Sequence, residues 1–330
     1  MIAITGANGL LGSALIEQLM RDQIEFVALK RAGSNLDLLA GHTTQSIRYF
    51  DIDILDSTSL LDGLKDATTV IHTAAIVSFN PKRQEEIFDV NVIGTKNVVD
   101  VCLALKIPRL IHISSVAALG RQKGVDTIDE TAQWVDSPYN TDYAKSKYQA
   151  ELEVFRGQEE GLQVSVINPS VILSQSSWTK SSAALFKYVW DENKFYASGT
   201  FNYVDVRDVV DLIMRLYKGN SDGERFIANA GSISSKKLFE EIANRFGKRA
   251  PSYRATPFLS YLATRIEFLR SAIKGTEPMV TKQTARIASE TFYFSNQKAI
   301  NELDMKFRSL EETLDWCCPY YLSNDSTNKQ

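Results

Sequence analysis

The chain has 330 residues, 44% of them apolar, with a formal net charge of −3; that is enough for one large domain or two modest ones around a well-buried core. The charges form no long like-signed run, so nothing electrostatic points to nucleic acid or an anionic membrane surface as partner, and a small molecule is the expected ligand. Three cysteines, Cys102, Cys317 and Cys318, make neither a disulfide framework nor a zinc pattern, so a reducing, cytoplasmic setting is expected.

The N-terminal stretch "MIAITGANG" has no charged n-region or apolar h-region, and no apolar run approaches the ~20 residues needed to span a bilayer. "IAIT" reads as the first strand. Directly after it, "GANGLLGSALIEQLM" puts Gly6, Gly9 and Gly12 at the start of an amphipathic helix. Glycines there allow a tight turn and close backbone approach, so a dinucleotide pyrophosphate can rest on exposed amides at the positive end of the helix. The runs "EFVALK", "SIRYFDI", "TTVIHTA", "RLIHISS" and "QVSVIN" follow, separated by helical patterns, which makes six strands by about Asn168. Such alternation predicts an α/β, doubly wound parallel sheet of Rossmann type, with ligands beyond the carboxyl ends of the strands.

At the end of the second strand, "VALKRAGSN" offers Lys30 and Arg31, with Ser34 close by, where an NAD-binding chain usually has an acid. A guanidinium can grip a ribose 2′-phosphate that an acid would repel, so NADP(H) is expected over NAD(H). The helix from about Pro81 to Lys106 is unusually long, and Pro108 stands where the next strand begins. After Asn168 the rhythm is irregular. Strand-like "NYVDV" and "ERFIANA" alternate with helices near Asp208 to Lys218 and Ser234 to Gly247, an amphipathic segment runs from Arg254 to Lys274, and the tail "SNDSTNKQ" looks disordered. Residues 1–168 are expected to bind the cofactor, with segments at about 201–218 returning to that domain, and 169–330 to form mainly a smaller substrate-binding cap.

The spacing Gly-x-x-Gly-x-x-Gly after Thr5 resembles the extended branch of the short-chain dehydrogenase/reductase superfamily, of the NAD-dependent epimerase/dehydratase type. Further pieces recur in the family's order: "DILD" at Asp53, "HTAA" at His72, "NVIGTKNVVD" at Asn91, "HISSVAALG" at His112, "YAKSK" at Tyr143, "NPSVIL" at Asn168 and "VDVRDVV" at Val204. The nearest likeness is to dihydroflavonol 4-reductase-like reductases, whose relatives include cinnamoyl-CoA reductases and 3β-hydroxysteroid dehydrogenases. The resemblance implies a nicotinamide cofactor and interconversion of a carbonyl and an alcohol. It assigns Thr5, Gly6, Asn8, Gly9, Leu10, Leu11 and Gly12 to the phosphate cradle. Asp53 and Ile54 would flank the adenine, Thr73, Ala74 and Ala75 would lie along the cofactor, and Asn168, Pro169 and Ser170 would approach the nicotinamide. Asn91 would be the asparagine that holds a backbone and a water in a proton relay. Asp53 is otherwise a plain loop carboxylate with Asp56 capping a helix, and His72 and His112 read as satisfied core histidines, which leaves no metal site.

Only Tyr143, among the three tyrosines of "SPYNTDYAKSKYQAE", has a lysine four residues on, at Lys147. That spacing puts both on one helix face, where the ammonium would favour the ionised phenol. With the strand-end serine Ser115, taken by family alignment over Ser114, the expected triad is Ser115, Tyr143 and Lys147: Ser115 binds the carbonyl oxygen, Tyr143 gives the proton, and Lys147 also holds the nicotinamide ribose. Tyr139 falls to the pocket rim and Tyr148 to helix packing.

Two rival readings remain: a nucleotide-sugar epimerase or dehydratase sharing the glycines and the Tyr/Lys pair, and a non-catalytic NADP-binding sensor. Trp178, Phe186, Tyr188, Trp190, Phe195 and Tyr196 supply either an aromatic lining for an apolar or aromatic substrate or plain core. Arg254 to Lys274 reads as a lid in preference to a membrane contact. Ser174 stands where many relatives have glycine. A homodimer through the helices of Pro81 to Lys106 and Tyr143 to Phe155 is a further implication of the resemblance.

Overall fold

The computed structural model describes residues 1–39, 47–121, 124–125, 127–178, 182–256 and 281–327. The amphipathic segment from Arg254 to Lys274 lies outside these residues beyond Thr256. In chain order the elements are β1 (Ile2–Thr5), α1 (Leu10–Arg21), β2 (Phe26–Lys30), β3 (Tyr49–Asp51), α2 (Ser57–Leu64), β4 (Thr69–His72), α3 (Gln84–Phe88), α4 (Gly94–Ala104), β5 (Arg109–Ile113), α5 (Asp142–Glu159) and β6 (Gln163–Pro169). Then follow β7 (Val171–Leu173), α6 (Ala183–Trp190), β8 (Phe195–Tyr196), β9 (Thr200–Asp205), α7 (Val206–Lys218), β10 (Glu224–Ala228), β11 (Gly231–Ser234), α8 (Ser235–Phe246), β12 (Tyr253–Arg254), and helices at Lys282–Ala288, Gln297–Leu303 and Leu310–Thr327.

Seven strands form one sheet in the order β10-β6-β5-β4-β1-β2-β3, and every pairing in it is parallel. Parallel strands covered on both faces need no polar alternation. "IAIT" and "TVIH" accordingly show buried residues at every position. On one face, Leu15 and Leu19 of α1 pack with Val209, Leu212 and Leu216 of α7; on the other, Leu60, Val98 and Val154 of α2, α4 and α5 close over the sheet. The strand order reverses between β1 and β4, so the crevice expected for a ligand opens there.

The long helix is a composite. A 3₁₀ turn at Pro81–Arg83 leads into α3, a π-turn spans Asp89–Ile93, and α4 continues the run. "ERFIANA" supplies β10, the seventh strand of the main sheet. The tail is helical through Thr327, which overturns the expectation of disorder from Ser323 to that point. Of the aromatic residues expected either to line a pocket or to form core, Phe186 is core, fully buried against Phe246 and Tyr321, and Trp178, Tyr188 and Trp190 pack partly buried around it, Trp178 on Trp190 and Tyr321. In β8, Tyr196 packs at the edge of this cluster, while Phe195 is exposed and meets the exposed Tyr253.

Candidate active site

The first strand ends in a turn that only glycine fits. Gly6 has φ +68°, and a Cβ there would stand 2.7 Å from the backbone of Ala74; a Cβ on Gly12 would stand 2.4 Å from the Gly6 carbonyl. Helix α1 begins at Gly9 with no side chain capping it, so its first amides stay open to a ligand. Asn8 donates to the Asn35 carbonyl at 3.2 Å, tying the glycine turn to the loop after β2.

Thr5 is fully buried and faces inward. The Thr95 hydroxyl donates its proton to the Asn91 carbonyl (2.6 Å), so it must accept from His72 Nε2 (3.0 Å); Nδ1 then accepts from the Thr5 hydroxyl (2.6 Å). Burial holds the His72 pKa down at about 3, which keeps the ring neutral in this chain of bonds. The Thr5 side chain therefore braces the floor of the turn and does not reach its outer surface. Thr73 donates to the Thr5 carbonyl at 2.7 Å and fixes the end of β4, with Ala74 half-buried and Ala75 exposed beside it. His112, 5.2 Å from His72, departs from expectation: both its ring nitrogens are buried without a partner among the described residues.

Asn91 sits in the π-turn. Its side chain accepts from the Ile76 amide (2.8 Å), donates back to the Ile76 carbonyl (3.0 Å) and donates to Ser146 Oγ (3.0 Å). Ser146 in turn donates to the Tyr143 carbonyl at 2.8 Å, so the segment after β4 and the first turn of α5 are held in one frame.

Helix α5 is capped by Thr141, which accepts from the Ala144 amide. Tyr143, Lys147 and Glu151 follow one another on one face. Lys147 is 2% exposed, and its ammonium donates to the Ile113 carbonyl at 2.7 Å. Burial brings its pKa down to about 8, with Glu151 opposing. Glu151 is itself buried, which raises its carboxyl pKa against the pull of Arg225, 3.0 Å away. Asn168 donates to Glu151 at 2.6 Å and to the Ser115 carbonyl at 3.0 Å, so the ends of β5 and β6 are locked to α5.

Burial raises the Tyr143 phenol above its ordinary value; a hydrogen bond from Ser115 and the charge of Arg121 both pull the other way. The i, i+4 spacing puts the two side chains on one face, and the lysine runs inward to β5, where one of its three donors is taken by the Ile113 carbonyl. Ser115 Oγ also accepts from the Ala117 amide (3.1 Å), capping the 3₁₀ turn Val116–Leu119, whereas the buried Ser114 hydroxyl turns toward the Glu151 carboxyl and helps hold its pKa down. Phe79 meets Tyr143 edge-on at 5.8 Å. Tyr139 donates to Glu290 at 3.3 Å, and Tyr148 stacks on Trp134 at 4.5 Å.

The remaining residues divide by exposure. Gly9, Arg31 and Asp53 are exposed, Leu10 and Ser34 half-buried, and Leu11, Ile54, Asn168, Pro169 and Ser170 buried. Asp53 accepts from the Leu55 amide in a local turn. Lys30 pairs with Asp51 across β2 and β3, so of the two expected cations only Arg31 stands exposed at the strand end. Sequence reasoning missed Glu151, Arg225 and Arg121. A search at i+8 from Tyr143 would have reached Glu151, but no local signal marks the two arginines. Among the described residues no cluster of His, Cys, Asp or Glu could hold a metal ion, and no helix is long and apolar enough to cross a membrane.

A sequence model described as "NAD dependent epimerase/dehydratase family" matches residues 2–231. A Synechocystis protein provisionally named dihydroflavonol 4-reductase is 25% identical over 319 residues, covering 94% of this chain and 91% of its own. Cinnamoyl-CoA reductase 1 of Petunia hybrida is 28% identical over 267 residues, covering 76% and 78%. Among solved structures, the UDP-glucose 4-epimerase of Thermotoga maritima superposes with a TM-score of 0.80 at 16% identity, over 98% of this chain and 99% of that one.

Proposed function

Because this chain belongs to the NAD-dependent epimerase/dehydratase family, we propose that it is an NADP(H)-dependent oxidoreductase that interconverts a carbonyl and an alcohol on a small molecule with an apolar or aromatic body. The observation that carries this reading is the placement of a protonated phenol, Tyr143, against the Ser115 hydroxyl at the carboxyl end of β5, beside a glycine turn whose helix amides are open. The reductase names of the relatives support it against the epimerase alternative, and so does the retention of the triad against a non-catalytic sensor.

The chain fits a dinucleotide in its own residues. Gly6 and Gly12 leave space that a Cβ would fill, and Gly9 leaves the start of α1 uncapped. Gly9 to Gly12 would hold the pyrophosphate, Asp53 and Ile54 the adenine, Thr73 to Ala75 the length of the cofactor, and Lys147 the nicotinamide ribose. Arg31, with Ser34, would take the 2′-phosphate. When bound, the cofactor supplies the hydride. Tyr143 gives its proton to the carbonyl oxygen, Ser115 hydrogen-bonds that oxygen, and Asn91 keeps the tyrosine's helix turn in register with the end of β4. The two parts of the chain, 1–168 with returning segments and 169–330, would divide as cofactor domain and substrate cap.

Tyr143→Phe keeps the ring and removes the proton. Carbonyl reduction followed at the nicotinamide absorbance should fall by roughly 10² to 10⁴-fold, the range for loss of a general acid, with cofactor affinity little changed. Full activity in that variant would remove Tyr143 from the reaction.

A further inference from the structure

Arg121 acts on Tyr143 by its charge and takes no part in the proposed chemistry. Its backbone amide donates to Asn140 Oδ1 at 2.9 Å, and the Asn140 side chain donates to the Val135 carbonyl at 2.8 Å. Asn140 is buried and directly precedes the cap of α5. The arginine is thereby fixed to the entry of the helix that carries Tyr143. Its guanidinium carbon lies 5.9 Å from the centre of the Phe292 ring, which is itself packed edge-on against Tyr139 at 5.7 Å.

Among the described residues no carboxylate pairs with the Arg121 guanidinium, and Tyr143 is the group whose charge acts on it. The other enclosed arginines differ. Arg207 pairs with Asp205, Arg225 with Glu151 and Arg245 with Asp315, while Arg109 donates to the carbonyls of Tyr217 and Gly219. A guanidinium cannot shed its charge at physiological pH, and its donors form a rigid fork that matches a carboxylate. Holding such a fork unpaired in a half-buried position costs free energy unless something binds it.

We propose that Arg121 receives the carboxylate of the substrate, so that the compound reduced at Tyr143 is an oxo acid in preference to a neutral ketone or aldehyde. This rests on the oxidoreductase reading above and narrows its substrate class. The carbonyl oxygen meets Ser115 and Tyr143 and the carboxylate meets Arg121, with Phe79 against Tyr143 and Phe292 against Arg121 as the aromatic faces offered to the apolar body. Hydride and proton add across the C=O bond to give a hydroxy acid and the oxidised cofactor, while the carboxylate is unchanged.

The test is a set of aliphatic and aryl ketones and aldehydes, each as free acid and as methyl ester, assayed with NADPH on the wild type, Arg121→Leu and Arg121→Lys. The wild type should prefer acids. In Arg121→Leu the acid-to-ester ratio of kcat/KM should fall by roughly 10- to 100-fold, the loss expected for a charge-assisted hydrogen-bonded pair, and mainly through KM. Arg121→Lys should retain part of the preference, and it carries the test alone if the leucine variant does not fold. Equal turnover of acids and esters by the wild type, or an equal loss of both in the variants, overturns the proposal. If no pair consumes NADPH, the oxidoreductase reading has failed, and calorimetry of benzoate and of UDP decides the Arg121 site by itself. Benzoate binding that Arg121→Leu abolishes supports a carboxylate site; loss of UDP binding instead, or no benzoate binding by the wild type, overturns it.

Discussion

Lys147 is almost wholly enclosed, and burial brings its pKa from an ordinary 10.5 to about 8. The gap of about 2.5 on the pH scale, at ~1.4 kcal/mol each, means the folded protein gives up about 3 kcal/mol wherever both states are protonated. As the pH rises the folded state releases this proton first. Between about 8 and 10.5 the unfolded chain therefore holds the extra proton, and stability climbs with pH. From pH 7 to pH 9.5 the recovery is about 2 kcal/mol. Tyrosines and cysteines titrate in the same range, so the quantity to measure is the difference between wild type and Lys147→Met, from urea denaturation at both pH values. The variant also strips the Ile113 carbonyl of its donor, but that loss enters equally at both. Relative to wild type, Lys147→Met should be about 2 kcal/mol better off at pH 7 than at pH 9.5. A difference constant to within about 0.5 kcal/mol would refute the claim that a desolvated ammonium sits at this position.

Other perturbations follow from the same geometry. Gly6→Ala forces a left-handed residue into the Ala74 backbone and should destabilise by at least about 1–2 kcal/mol in thermal unfolding while weakening dinucleotide binding; unchanged values on both counts would mean the turn can relax. Arg31→Ala should weaken NADPH binding by ~1.5 to 3 kcal/mol and leave NADH nearly indifferent, and equal wild-type affinities for the two by titration would overturn the NADP(H) preference. Arg225→Met leaves Glu151 without its paired guanidinium and should cost about 3–5 kcal/mol in denaturant unfolding; a loss under about 1 kcal/mol would show that Asn168, Ser114 and the charge of Lys147 together satisfy the carboxylate.

The sheet was legible because its strands are apolar on both faces and end in recognisable turns: all six runs expected before Asn168 are strands. "ERFIANA" was legible as a strand but not as a neighbour of β6, since nothing local encodes a pairing across the intervening segment. Tyr143 and Ser115 could be found together because each closes or opens an element at a fixed place in the chain. The direction of the Lys147 side chain could not, because helix spacing specifies a face and not where four methylenes lead. The same limit hid Arg121, whose neighbours Asn140 and Phe292 come from distant parts of the sequence. Aromatic composition could not separate lining from core, and Phe186 is core because α6 turns it toward Tyr321.

The pairing of β10 with β6 also has a consequence during synthesis. The chain leaves the sheet at Pro169 and returns only at Glu224, so for all the residues between them the flank of β6 has no partner. That flank carries "VSVI", buried and nearly uncharged in the finished protein, with a row of free amides and carbonyls along it. An open apolar strand edge is a template for any other strand, including the same one on a neighbouring ribosome. The time taken to translate and collapse residues 170–223 therefore sets how long each nascent copy can be captured by another, and a slow stretch of codons there should lower the soluble yield more than one placed after Ala228.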